Sequence, residues 1–210
     1  MISNLISKLI FFLIFCINIT HSNSEELEFE ATSIEIIDKD KIIIANDGVK
    51  ILSGDEIVIN ADQMRYNKEE KFLEASGNIL ITNQIENIEI ISDKITYDKN
   101  EEKIVSSGNV EIKIENNYRL KTKKIIYLKN SEEILINDSS KIKDNLGNEI
   151  EFAQLNYNAI DKLIKGKKVK LLDIEKNFYN FDNAIVDLSK NQIIADNVNI
   201  NFNKIFLEIS

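Results

Sequence analysis

The sequence predicts an all-β protein built from about six repeated two-strand units. Three observations carry this. Ile and Val alternate with polar residues at period two over most of the chain, as in half-buried strands. A unit of about 30 residues recurs from residue 28 onward, a spacing that marks an array. Polar turns such as Asn67-Lys68-Glu69-Glu70, Asp98-Lys99-Asn100-Glu101-Glu102 and Lys129-Asn130-Ser131-Glu132 separate the apolar runs, so successive strands should be antiparallel neighbours. No helical period competes over a long stretch, and about twelve strands are expected.

Each unit has two halves. The first carries a small or aromatic residue, an apolar residue three places on, and Tyr or an aliphatic residue two places later. The series is Ala31-Ile34-Ile36, Ala61-Met64-Tyr66, Ser92-Ile95-Tyr97, Thr122-Ile125-Tyr127, Phe152-Leu155-Tyr157 and Phe181-Ala184-Val186. The second half alternates: Ile43, Ala45, Asp47, Val49, Ile51 in unit one, and Leu73, Ala75, Gly77, Ile79, Ile81 in unit two. Unit three gives Ile104, Ser106, Gly108, Val110, Ile112. Units four to six repeat it more weakly, as Ile134, Ile136, Ser140, Ile142, then Leu163, Val169, Leu171, then Ile194, Val198, Ile200.

The first half switches phase. Ile57, Ile59 and Ala61 share one face of a regular strand, and Met64 and Tyr66 the other; Ile88, Ile90, Ser92 and Ile95, Tyr97 do the same. A one-residue bulge near Asp62 and Asp93 would bring both sets to one face. A strand that crosses from one sheet to another would do so too. Either way the chain bends at a fixed place in every unit.

The N-terminus reads as an export signal over residues 1–24, leaving 25–210 as one repeat domain. Lys8 supplies a positive start, and residues 9–19 form an uncharged apolar run, too short for the ~20 residues of a spanning helix. The single Cys16 and single His21 both fall in this segment. The remaining chain has neither, which excludes disulfides, thiol nucleophiles, Ser-His-Asp triads and the usual zinc sites. No cofactor is expected. The whole chain holds 26 basic and 35 acidic side chains, net −9, the wrong sign for a nucleic-acid binder.

The inward rows hold small residues, Ala45, Ala75, Gly77, Ser106 and Gly108, flanked by Ile or Leu. They leave room for a chain-like apolar ligand, or they serve tight packing and a bend. Tyr66, Tyr97, Tyr127 and Tyr157 read as stacked core or rim aromatics. Asp62 and Asp93 read as bulge residues that satisfy backbone N–H groups. The Lys-rich stretches around Lys121, Lys123, Lys124 and Lys129, and Lys162 to Lys170, read as protected sheet edges.

Ala61-Asp62-Gln63-Met64-Arg65-Tyr66 followed by Ala75-Ser76-Gly77-Asn78-Ile79 resembles the A-D-x-x-x-Y … A-x-G-N-V pattern of OstA-like lipopolysaccharide-transport domains. Ser92-Asp93-Lys94-Ile95-Thr96-Tyr97 with Ser106-Ser107-Gly108-Asn109-Val110 repeats it. The resemblance spans residues 28–202 and is sharpest over 55–115. That family includes LptA, the periplasmic N-terminal domain of LptD, and LptC, which shares the fold. Units four to six depart from it: Asp138-Ser139-Ser140 and Lys167-Lys168-Val169 replace Gly-Asn-Val.

The resemblance implies an open antiparallel β-jellyroll, a V-shaped pair of sheets. It implies a non-enzymatic periplasmic protein, associated or not with the outer membrane, whose apolar groove shields the acyl chains of lipopolysaccharide. Its partners would be lipopolysaccharide, other jellyroll domains docked edge to edge, and an outer-membrane barrel. The groove lining would be Ile57, Ile59, Leu73, Ala75, Gly77, Ile79, Ile81, Ile88, Ile90, Ile104, Ser106, Gly108, Val110 and Ile112. Two other readings compete: a fully packed structural or adhesin-type array with no groove, and a carboxylate-only polysaccharide enzyme. The acids here recur with the repeat, which disfavours the enzyme.

Overall fold

The computed structural model describes residues 28–53, 57–83, 88–114, 117–158, 160–187, 189–190 and 192–203. The export signal lies outside the described residues. All described regular structure is β, and every strand pairing is antiparallel.

The strands are β1 (Glu28–Glu30), β2 (Ser33–Ile37), β3 (Ile42–Ser53), β4 (Ile57–Asn67), β5 (Phe72–Asn83), β6 (Ile88–Asp98), β7 (Lys103–Ile114) and β8 (Tyr118–Leu128). They continue as β9 (Glu133–Ile136), β10 (Ser140–Asp144), β11 (Glu149–Phe152), β12 (Gln154–Asn158), β13 (Leu163–Leu172), β14 (Phe178–Asp187), β15 (Gln192–Asp196) and β16 (Asn199–Asn201). In four cases two short strands are the halves of one bent pass. β1 and β2 both pair with β3, β9 and β10 with β8, β11 and β12 with β13, and β15 and β16 with β14. The chain therefore makes the twelve passes the repeat predicts, each beside its sequence neighbour.

Every pass bends at one level. Register shifts fall between Asn46 and Val49, Asn60 and Gln63, Ser76 and Ile79, Ile91 and Lys94, and Ser107 and Val110. These bends divide the sheet into two leaves. In the first, Phe29, Ile51, Ile59, Ile81, Ile90, Ile112, Leu120, Ile142, Ile150, Leu171, Tyr179 and Ile200 are successive cross-strand partners. In the second, the row runs Ile36, Ile43, Tyr66, Leu73, Tyr97, Ile104, Tyr127, Ile134, Tyr157, Ile164, Val186 and Ile193. Partners in register share a face, so both rows look inward. The apolar core draws on both leaves: Ile43 and Ala45 cluster with Val49 and Ile51, and Ile134 and Tyr157 with Ile142 and Ile150.

Turn chemistry is repetitive at both ends. Asn67 Oδ1 accepts the backbone N–H of Glu69 and Glu70, and Asp98 Oδ1 those of Asn100 and Glu101. Lys71, Glu102, Glu132 and Lys162 then close the turns in left-handed backbone. The opposite end carries a ladder the sequence reading missed. Asp144 accepts the backbone N–H and the side-chain amide of Asn148, and Asp173 those of Asn177. Asn148 Oδ1 accepts from Ile174 N–H, and Asn177 Oδ1 from Asn203 N–H, so each turn hooks onto the next. The signal was present as D-x-x-x-N in Asp144–Asn148 and again in Asp173–Asn177.

Three expectations need correction. The inward residues of the last two units are Ile164 and Ile193 rather than Leu163 and Ile194, because the bends there are one residue shorter. Lys121, Lys123 and Lys124 lie on β8 and Lys165, Lys167, Lys168 and Lys170 on β13, strands paired on both sides, while Lys129 and Lys162 lie in turns, so these stretches do not guard sheet edges. Lys121 instead pairs with Glu111 at 3.1 Å on the outer face. The extra residue at these bends sits on β3, β5 and β7, at Asp47-Gly48, Gly77-Asn78 and Gly108-Asn109, opposite the single Asp62, Asp93 and Lys123.

Candidate functional site

The inner rows form the candidate site. Their exposure varies along the array. From β8 to β13 every member is buried: Leu120, Ile142, Ile150 and Leu171 in one leaf, and Tyr127, Ile134, Tyr157 and Ile164 in the other. Between β4 and β7 only Ile112 in the first leaf and Leu73 in the second are buried; Ile59, Ile81 and Ile90 in the first and Tyr66, Tyr97 and Ile104 in the second are half-buried. The interior is thus sealed in units four and five and more accessible in units two and three, where the A-D-x-x-x-Y pattern is sharpest.

The fourteen lining candidates fall into three groups. Leu73, Ala75, Ile79, Ile88, Ser106, Val110 and Ile112 are buried in the core, Ala75 and Ile79 completely. Ile59, Ile81, Ile90 and Ile104 are half-buried on the same face. Gly77 and Gly108 lie at the bend, and the side chain of Ile57 lies outside the described residues. Ala75 alternates across the strands with Met64 and Ile95, and Ser106 with Ile95 and Ile125. The small residues therefore interlock with large ones.

Gly77 and Gly108 have a different reason to be small. Their φ angles are +76°, a conformation that costs glycine nothing. A Cβ on Gly77 would stand 2.4 Å from Asp62 Oδ2, and one on Gly108 2.4 Å from Asp93 Oδ2. Asn78 donates its side-chain amide to Asp62 at 2.8 Å, and Asn109 to Asp93 at 2.9 Å. The two aspartates therefore clasp a side-chain amide on the outer face of the bend, where backbone N–H groups were expected. Unit six repeats the clasp: Asn197 donates to Asp182 at 2.7 Å, and Lys168 reaches the same carboxylate at 2.8 Å. Asn78, Asn109, Lys168 and Asn197 all have positive φ.

No family model matches the chain, and no curated protein matches it. The solved structures with matching chains include LptH, described as the LptA homologous periplasmic component of the conserved lipopolysaccharide transport device from Pseudomonas aeruginosa. That likeness has 14% identity and a TM-score of 0.43, and covers 50% of this chain and 77% of that one.

A few polar groups interrupt the apolar interior. Ser92, Ser106, Thr122 and Ser140 are buried near the bend. Ser140 Oγ lies 2.7 Å from Thr122 Oγ1 and 2.8 Å from the Asp138 carbonyl oxygen, which satisfies that pair. Ser106 Oγ has no hydrogen-bond partner among the described residues. At the end of the first row, Tyr179 donates its hydroxyl to Asp173 at 3.2 Å. Burial pushes the Asp173 carboxyl up, but hydrogen bonds from Asn177 and Tyr179 outweigh it and hold the group below its ordinary range. Burial, reinforced by Asp173, pushes the Tyr179 hydroxyl up.

The inner rows reach both ends of the array with large apolar side chains about half exposed. Ile34 and Ile36 on β2 are 48% and 53% exposed, although they pair with the buried Ala45 and Ile43. At the other end Ile193 and Ile200 are 47% and 44% exposed. Among the described residues no helix is long and apolar enough to cross a membrane.

Proposed function

We propose that the chain carries lipid acyl chains in its interior as a non-enzymatic periplasmic component of lipopolysaccharide transport. One observation carries this reading. Two inner rows of apolar side chains run through all twelve passes, stay accessible at Ile59, Ile81, Ile90, Tyr66 and Tyr97, and leave Ile36, Ile193 and Ile200 exposed at the edges. Each acyl CH₂ moved out of water gains about 0.8 kcal/mol, so an apolar path of this length suits a multiply acylated lipid. The repeated motif through Asp62 and Asp93, with its OstA-like resemblance, supports the same reading. The exposed inner residues of β2, β15 and β16 suit edge-to-edge docking with other domains of this fold on the way to an outer-membrane partner.

A second reading, a packed structural array, is favoured by the full burial of Ala75, Ile79 and Tyr157. Uptake of a fluorescent fatty-acyl probe separates the two. The transport reading expects saturable uptake, displaced by lipopolysaccharide and weakened by Ile81→Asp or Ile90→Asp. No uptake by the folded chain would sink it.

A further inference from the structure

An open pocket of about 440 Å³ lies on the outer face at the bend of units four to six, lined by Asn137, Ala153, Gln154, Lys167, Lys168, Asp182, Asn183 and Asn197. It is separate from the apolar interior and is not used by the proposed transport. Its position in the repeat explains it. Asp62 precedes Gln63, whose cross-strand partner is Ser76; Ala153 precedes Gln154, whose cross-strand partner is Lys167. Ala153 therefore occupies the place that Asp62, Asp93 and Asp182 fill with a carboxylate in their own units. The clasp carboxylate is absent from units one, four and five, where Thr32, Lys123 and Ala153 stand in its place, and the pocket opens beside Ala153.

The surrounding groups are unequally satisfied. Both acceptors near the pocket are taken: Asp182 by Lys168 and Asn197, and Asp196 by the backbone and side-chain N–H groups of Asn183. The Asn137 and Gln154 side-chain amides and the Lys167 ammonium have no side-chain partner among the described residues. What remains open is one uncompensated ammonium beside two carboxamides, each able to turn its NH₂ toward a ligand, so an anion with several acceptors complements the pocket.

We propose that this pocket binds a carboxylate supplied from outside the chain, which takes the place of the missing aspartate and accepts from Lys167, Gln154 and Asn137. The open pocket has room for a carboxylate carried on a short carbon frame. A free dicarboxylic acid or an acidic side chain of a peptide both provide it.

The test is a nuclear magnetic resonance titration of the folded full chain with succinate, with an N-acetylated, amidated Asp-containing tripeptide, and with inorganic phosphate. Saturable shifts confined to Asn137, Gln154, Lys167 and Asn183 with either carboxylate are the expected result, and the tighter of the two names the source. Lys167→Ala should weaken binding about tenfold, the loss of one charge-assisted hydrogen bond. Ala153→Asp should abolish it by supplying the carboxylate in place. Should A153D fail to fold, K167A with an otherwise native spectrum decides the matter alone. Absence of saturable shifts, wild-type affinity in K167A, or tighter binding of phosphate than of either carboxylate would overturn the proposal. An acyl probe that fails to bind the same preparation would count against the transport reading only.

Discussion

Asn78 donates its side-chain amide to Asp62 at 2.8 Å, and the accepting carboxylate lies where a side chain on Gly77 would have to begin. Asn109, Asp93 and Gly108 repeat the arrangement one unit later. The three-residue relationship converts a sequence motif into a bend, and the bend turns one sheet into two facing leaves.

Gly77→Ala combines two penalties, left-handed backbone and a contact with Asp62. It should destabilise the fold by about 2–3 kcal/mol in urea unfolding. Gly48 shares the positive φ, at 74°, but has nothing within 4 Å of its missing Cβ. Gly48→Ala should therefore cost only about 1 kcal/mol. Equal costs at the two positions would contradict the clasp as the reason for Gly77.

The Asp62–Asn78 pair is exposed, so its own worth is modest. A double-mutant cycle of Asp62→Ala and Asn78→Ala should give a coupling of about 0.5–1 kcal/mol. Asn78→Asp should cost more than Asn78→Ala at neutral pH and recover part of the difference at high salt, because it sets two carboxylates together.

Asn148 and Asn177 each hold their own turn and the next one. Asn148→Ala should cost about 1–3 kcal/mol by leaving buried partners unsatisfied. It should also speed hydrogen exchange at the Ile174 amide, which donates to Asn148 at 3.1 Å. Unchanged protection at Ile174 would show that the turns do not depend on one another.

Acid should loosen the C-terminal half. Lys141 and Lys143 both bond Glu149 and hold its carboxyl down from 4.5 to about 2. A depressed carboxylate contributes stability above its unfolded value, and that contribution is lost as pH falls through its folded value. The loss should therefore run from about pH 4.5 down to 2. Asp173, also held below its ordinary range, adds in the same direction. A carboxyl titration of Glu149 should show the depressed midpoint, and Lys141→Gln with Lys143→Gln should return it toward 4.5. A normal midpoint in the parent chain would refute the pairing.

Much of this fold could be read before any coordinates. Strict alternation at Leu73, Ala75, Ile79 and Ile81 named the strands and their buried face, because period two is a local property of the chain. The paired phases of Ala61 and Met64 located the bend. Which strand carried the extra residue was not legible, since either side of an antiparallel pair shifts the register equally. Units five and six misled at Leu163 and Ile194, because counting back from Leu171 and Ile200 at period two crosses a bend one residue shorter and lands on the wrong face. The role of Asp62 was missed for a different reason: its partner, Asn78, lies sixteen residues away and meets it only after the strands pair. The open stretch at Ile59, Ile81 and Ile90 was likewise invisible, because burial along a row depends on the facing leaf.

Site-specific photocrosslinking in cells that make lipopolysaccharide tests the central claim most directly. The probe would replace Ile81 and Ile90, half-buried partners in the accessible part of the first leaf, with Lys68 in an exposed turn as control. The account predicts lipopolysaccharide adducts at Ile81 and Ile90 and none at Lys68. A folded, exported protein that forms no adduct at either inner position would contradict it and leave the packed array as the better description.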